Sequence, residues 1–140
     1  MAELPDDLPD CTLFLLGKAY QKAHGDFKRR LVPYGLTNMQ HLVLEGLWYK
    51  EGVTAAELGK FLILDKATLS GVLDRMADAG WIFKRRDEKD RRGIRLYLSD
   101  KANGVKEELL AQRRRANKAM LKGFSMEEQI LFKRLLRDLI

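Results

Sequence analysis

Three times the chain sets a hydroxyl residue three places before Gln or Glu: Thr37-Asn-Met-Gln40, Thr54-Ala-Ala-Glu57 and Ser125-Met-Glu-Glu128. No other feature constrains its fold as strongly. In a capping box the hydroxyl accepts from a backbone N–H of the first helical turn, and the Gln or Glu side chain reaches back to the cap residue's own N–H. Three boxes therefore set three helix starts before any hydrophobic pattern is consulted.

The pattern supplies the rest. Leu13, Tyr20 and Phe27 recur every seven residues, as do Gly17, His24 and Leu31, which predicts a first helix from about Asp10 to Leu31. Pro33 and Gly35 end it. The second helix, Thr37 to about Lys50, is apolar on two sides: Met39, Leu42, Val43, Gly46 and Leu47 on one, His41, Leu44 and Trp48 on the other. Such a helix is sandwiched between layers. A short third helix spans about Ala55 to Phe61. A fourth starts at the N-cap Asp65 and stops at Gly80, which is placed for the left-handed conformation. Leu69, Val72, Leu73 and Met76 share one face of it, with Ala67, Ser70, Gly71 and Asp74 opposite.

After Gly80 the period changes to two. Trp81 to Arg86 and Ile94 to Leu98 read as paired strands. Ser99 then caps a long helix, and a last amphipathic helix follows Ser125. The expected fold is mostly α with a small β-hairpin: a winged helix-turn-helix region over residues 37–98, within a single domain 1–140, flanked by helical segments 10–31 and 100–140.

The hairpin tip, RRDEKDRRGIR, is unusual. From Lys84 to Arg95 there are seven basic and three acidic residues. A tip that folds only for itself favours Asn-Gly or Asp-Gly. The whole chain carries 26 Lys and Arg against 20 Asp and Glu over 140 residues, a net charge of +6 that favours a polyanionic partner. The fourth helix fits the same partner. Ala67, Ser70 and Gly71 let its backbone approach a surface, while Lys66, Thr68, Ser70 and Arg75 donate to phosphates or base edges. Gly71 costs about 1 kcal/mol against Ala within a helix, so close approach to a groove or to another helix must offset it. Arg86, Lys89, Arg91 and Arg92 of the tip suit a narrow, electronegative minor groove, and Asp90 is expected to hold Arg92 or a neighbour in place. Thr37 and Thr54, at two helix starts, complete the expected DNA-contacting set.

In this order the motifs resemble the MarR family of transcriptional regulators. The resemblance is carried by YGLTNMQHLVLEGL, by TAAELGKFLILDKATLSGVLDRMADAGWI and by RRDEKDRRGIRLYLSDKA. The family's wing pattern D-x-R-D-x-R is matched by Asp87 to Arg92, with Lys89 where Arg is usual, followed by Leu98-Ser99. A lysine there meets phosphate as a point charge and not as a bidentate fork. The resemblance implies a homodimer whose terminal helices interlock, reading a pseudo-palindromic double-stranded operator with half-sites roughly 10 base pairs apart. It also implies a repressor released by a small-molecule effector. The apolar stripe of the first helix and Ile130, Leu131, Leu135 and Leu139 near the end agree with dimerisation.

By position in the family, Tyr20, His24 and Phe27 of the first helix and His41, Leu44 and Trp48 of the second are the candidate effector residues, suited to an aromatic acid. Arg113, Arg114 and Arg115 offer a counter-charge. Two alternatives stand beside this: a thiol-based redox sensor through Cys11, and a winged-helix interaction module without an operator. Four residues after Cys11 stands Leu15, where peroxide-sensing members of the family set a tyrosine beside the cysteine, and no basic residue lies near in sequence to lower the thiol pKa.

The remaining features exclude other classes. One cysteine excludes a disulfide framework and fits a reducing cytoplasm. The opening MAELPDDLPD lacks the basic start and apolar run of a signal peptide. No apolar run approaches the roughly 20 residues of a membrane span, so no membrane partner is expected. Zinc-sensing members of the family carry histidines on the long helix after the wing; the two histidines of this chain lie elsewhere, so the resemblance implies no metal, and no cofactor motif is present. No nucleophile stands beside a matched base, so an enzyme is not expected.

Overall fold

Each capping box closes as its spacing predicts. Gln40 N donates to Thr37 Oγ1 and Thr37 N to Gln40 Oε1, both at 3.1 Å. The same reciprocal pair joins Thr54 to Glu57 and Ser125 to Glu128. The computed structural model describes residues 4–90 and 93–140. The helices that follow the boxes are α2 (Asn38–Tyr49), α3 (Ala55–Leu62) and α7 (Met126–Asp138). Before them runs α1 (Thr12–Leu31), which starts two residues later than its apolar repeat suggests. Asp65 caps α4 (Lys66–Asp78), and Gly80 closes its end at φ +80° as expected.

Chain contacts divide the molecule into two units: Leu31–Leu110, and the residues up to Arg30 together with Ala111–Ile140. In the central unit α2 carries the core. Val43, Leu44 and Leu47 are buried, and Gly46 faces α3 so closely that a Cβ there would lie 2.8 Å from Leu58 Cδ1. Leu58, Leu69, Met76 and Leu96 complete the buried cluster, each removing an apolar side chain from water for about 2 kcal/mol.

The expected hairpin is the larger part of a three-stranded antiparallel sheet, in the order β1-β3-β2. Here β1 is Val53–Thr54, β2 is Ile82–Arg86 and β3 is Ile94–Leu98. Phe83 faces Tyr97 and Arg86 faces Ile94, while Val53 pairs with Leu96 and Thr54 with Arg95. Two residues of strand carry no alternation to read, so β1 is legible only once β3 is in place.

The long helix expected after Ser99 is broken. Ser99 caps α5 (Asp100–Gly104), Val105 leaves helical geometry at φ −108°, ψ 4°, and α6 (Lys106–Leu121) begins beyond it. Asn103 and Gly104, both weak helix formers, stand where the break falls. In the second unit, Gln129 Nε2 donates to the carbonyls of Leu121 and Phe124, and Phe124 stacks on Phe132. This ties α7 to the end of α6. No residue of α7 is buried: Ile130, Leu131, Leu135 and Leu139 all stand exposed, as do Leu13 and Tyr20 of α1.

One backbone position is strained. Ile63, in the turn between α3 and α4, is the single non-glycine residue at positive φ among those described (φ 56°, ψ 52°). The left-handed region costs a residue with a Cβ about 1–2 kcal/mol, and more for a branched one. Ile63 is also 72% exposed, so its side chain recovers little by packing. Ile63→Asn is expected to raise stability by about 1 kcal/mol, a gain of about 3 °C in melting temperature by scanning calorimetry. A lower melting temperature would show instead that the Ile63 side chain packs where the turn needs it.

Candidate nucleic-acid interface

The fourth helix is set by its cap. Asp65 Oδ1 accepts from Thr68 N at 2.8 Å, and Asp65 Oδ2 accepts from the Thr68 hydroxyl at 2.7 Å. The Thr68 amide, with its hydroxyl, holds the Asp65 carboxyl below the ordinary carboxylate range. In the same way the Thr54 amide holds the Glu57 carboxyl down at the start of α3. The Thr68 hydroxyl proton, expected to face DNA, is thus spent at the cap, and only its lone pairs remain for a partner.

Leu69, Val72, Leu73 and Met76 bury one side of α4, while Lys66, Ala67, Thr68, Ser70 and Arg75 are exposed on the other. Gly71 settles one of the two explanations offered for it. The three atoms nearest to a Cβ placed there all belong to the Arg75 guanidinium, at 3.4–4.0 Å. Among the described residues no other element comes as close, so close helix packing does not account for this glycine.

Strand alternation sorts the wing's cations. Lys84 and Arg86 lie on one face of the sheet with Ile94 and Leu96; Phe83, Arg85, Arg95 and Tyr97 lie on the other. Lys84 Nζ donates to Asp74 Oδ1 and so ties β2 to α4. On the opposite face Phe83 and Tyr97 stack with ring centroids 5.7 Å apart, and the Arg85 guanidinium lies over both rings. The tip closes on itself: Asp87 N donates to Gly93 O, Gly93 N to Asp90 O, and Lys89 N to Asp87 Oδ1. Arg86, Lys89 and Asp90 are exposed there. Arg91 and Arg92 lie outside the described residues, and with them the expected Asp90–Arg92 contact. At the base of the tip, Asp87 binds Arg95.

Between α3, α4 and the sheet lies a cavity of about 510 Å³. Lys60, Lys66, Ser70 and Lys84 supply its polar lining, and Leu64 and Leu96 are part of an apolar remainder. The sequence reading did not find it, because its walls come from four separate elements.

The other expected DNA contacts are more spread out. Thr37 sits at the start of α2, and Thr54 in β1, where it also caps α3. Of the candidate effector residues, Tyr20, His24 and Phe27 belong to the unit of the terminal helices, with the Tyr20 and His24 rings 5.2 Å apart. His41, Leu44 and Trp48 belong to the central unit. His41 and Leu44 are buried, and the His41 and Trp48 rings meet edge to face at 6.3 Å. Asn38 and Glu45, which the sequence reading passed over, share their face of α2, and His41 Nε2 lies 3.7 Å from Glu45 Oε1. Cys11 is half-buried just before α1. Among the described residues no three His, Cys, Asp or Glu side chains cluster to hold a metal, and no helix is long and apolar enough to cross a membrane.

A helix-turn-helix whose second helix is exposed, beside a three-stranded sheet with a basic tip, defines a winged helix-turn-helix protein. The family model described as "MarR family" matches residues 36–94. A probable transcriptional regulator from Pseudomonas aeruginosa of known structure is 31% identical, with a TM-score of 0.88 over 95% of this chain and 99% of that one. The chain belongs to the MarR family. The regulator PcaV of Streptomyces coelicolor, solved with its natural ligand, is 28% identical, with a TM-score of 0.85 over 99% of this chain and 96% of that one. The HTH-type transcriptional regulator TtmR of Methylorubrum extorquens is 37% identical over 90 residues, 62% of this chain. That match spans 46% of TtmR, so the chain covers about half the length of this relative. The relatives named here are regulators and not enzymes.

Proposed function

We propose that the protein is a DNA-binding transcriptional regulator acting in the cytoplasm as a homodimer. It represses from a pseudo-palindromic operator and is released by a small ligand. The observation that carries this reading is the joint exposure of α4 and the basic wing on one unit: Lys66, Ala67, Ser70 and Arg75 beside Arg86 and Lys89. Pairing of two such units is supported by α7, none of whose apolar residues is buried and where Ile130, Leu131 and Leu135 are exposed. A single helix with that much exposed apolar surface needs a partner.

The effector reading rests on α2. Asn38, His41, Glu45 and Trp48 line one face, and the buried indole N–H of Trp48 finds no acceptor among the described residues. A buried donor without a partner costs about 1–3 kcal/mol, which a bound acceptor would return. Tyr20, His24, Phe27, His41, Leu44 and Trp48 remain the residues assigned to it, and an aromatic acid matches their chemistry. The cavity under the wing favours a second place for a ligand. Its volume is in the usual range for small molecules, and three lysines on it suit an anion.

Selection of binding sites from a randomised duplex library at near-physiological salt tests the main reading. A pseudo-palindrome with half-sites one helical turn apart is expected, with affinity falling steeply as salt rises. Salt-dependent binding with no enriched sequence would favour an interaction module instead.

A further inference from the structure

The wing tip is fixed by one arginine that points away from the recognition helix. Arg95 lies in β3 on the face opposite Lys84 and Arg86. Its Nε donates to Asp87 Oδ2 at 2.9 Å, and its second terminal nitrogen lies at the same distance from that oxygen. The remaining nitrogen donates to the Gly52 carbonyl at 2.7 Å. Gly52 stands in the loop between α2 and β1, at φ +75°, and its own N–H donates to Leu96 O. Next to it, Glu51 Oε1 accepts from Leu98 N at 2.7 Å. The loop is thus anchored to β3 at Arg95, Leu96 and Leu98, and Arg95 carries that anchor outward to the tip.

Asp87 is the tip's hub. Its N–H donates to Gly93 O, one carboxylate oxygen takes Lys89 N and the other takes Arg95. Its side chain is only 16% exposed, although it stands on a protruding hairpin. The Lys89 amide and then the Arg95 guanidinium hold its carboxyl below the ordinary range, so the pair stays charged at neutral pH. The three contacts of Arg95 all lie inside the protein and engage each of its nitrogens once, on the face of the sheet opposite Lys84 and Arg86.

We propose that Arg95 is a positioning residue: through Asp87 and Gly52 it sets the pose of the wing tip, and with it sequence-specific DNA binding, without touching DNA. This rests on the DNA-binding reading above. It places three residues, Arg95, Asp87 and Gly52, in the function that were outside the expected contact set.

The sign of one substitution separates the idea from simple electrostatics. Asp87→Asn removes a negative charge from a surface that meets phosphates. Electrostatics alone then requires tighter binding. Loss of the pose requires weaker binding to the selected duplex, by about tenfold, with random duplex bound as well or better. Arg95→Gln and Arg95→Lys should both match that loss, since a lysine cannot make the fork. The double variant Arg95→Gln/Asp87→Asn should be no worse than either single one. The β2–β3 ladder does not depend on the pair, and thermal melts check that each variant folds.

Salt dependence supplies the second readout. A residue that contacts no phosphate leaves the slope of log affinity against log salt unchanged, whereas loss of a phosphate contact lowers it by about 0.9. If Asp87→Asn binds the selected duplex as tightly as wild type or tighter, the positioning role is overturned; if Arg95→Gln lowers the slope, it is overturned and Arg95 is a direct contact. If wild-type protein enriches no duplex at all, the DNA-binding reading fails and this proposal falls with it.

Discussion

Ala67→Glu is expected to lower affinity for the selected duplex about 100-fold while leaving the fold intact or slightly more stable. Ala67 is exposed in the first turn of α4, which carries no acidic residue of its own. A carboxylate there is favoured by the helix N-terminus by about 0.3–1 kcal/mol. The Asp65 cap is untouched, because its bonds run to Thr68. Against DNA the same carboxylate meets like charge at close range, which costs several kcal/mol, and each tenfold in affinity takes about 1.4 kcal/mol. Fluorescence anisotropy on the selected duplex, with melts alongside, measures both effects. Unchanged affinity would remove the outer face of α4 from the interface.

Gly46→Val is expected to act in the opposite way, destabilising the central unit by about 3 kcal/mol. Even a lone Cβ at this site would lie 2.8 Å from Leu58 Cδ1 and 3.1 Å and 3.3 Å from the two methyls of Leu62. Leu58 is fully buried and has no room to retreat. Valine adds two further methyls and a stiff side chain, and overpacking typically costs about 1–3 kcal/mol, occasionally more. The gain in helix propensity over glycine returns under 1 kcal/mol. Urea unfolding reads the loss as a lower midpoint. A midpoint within error of wild type would mean that α2 and α3 separate without cost. The contrast with Gly71 is instructive, since among the described residues only the flexible Arg75 side chain lies near that glycine.

What the sequence disclosed was local. Each capping box depends on residues three apart, so the starts of α2, α3 and α7 could be read directly. Gly80 announced its left-handed turn, and the buried face of α4 followed from spacing. Ile63 was hidden for the complementary reason: nothing in an isoleucine signals positive φ, and the turn takes that shape because the packed helices on either side require it. The Asp87–Arg95 bond crosses eight residues and an entire hairpin turn, so no periodicity marks it. A family pattern drew attention to Asp90 and Arg92 instead, and Arg92 lies outside the described residues. The break at Val105 depended on how far Asn103 and Gly104 weaken a helix, which propensity ranks but does not decide. The candidate effector residues fall in two separate units, and spacing along one helix says nothing about a neighbour on another.

Thr54 belongs at once to β1 and to the cap of α3: it pairs with Arg95 across the sheet and its hydroxyl holds Glu57 N. The first turn of the helix-turn-helix therefore cannot fray without opening the edge of the wing. Backbone amides in the two elements should exchange with solvent as one cooperative unit, and a ligand or mutation that loosens one will loosen the other. If helix and wing engage DNA together, as proposed, this shared residue makes partial docking a poorly populated state.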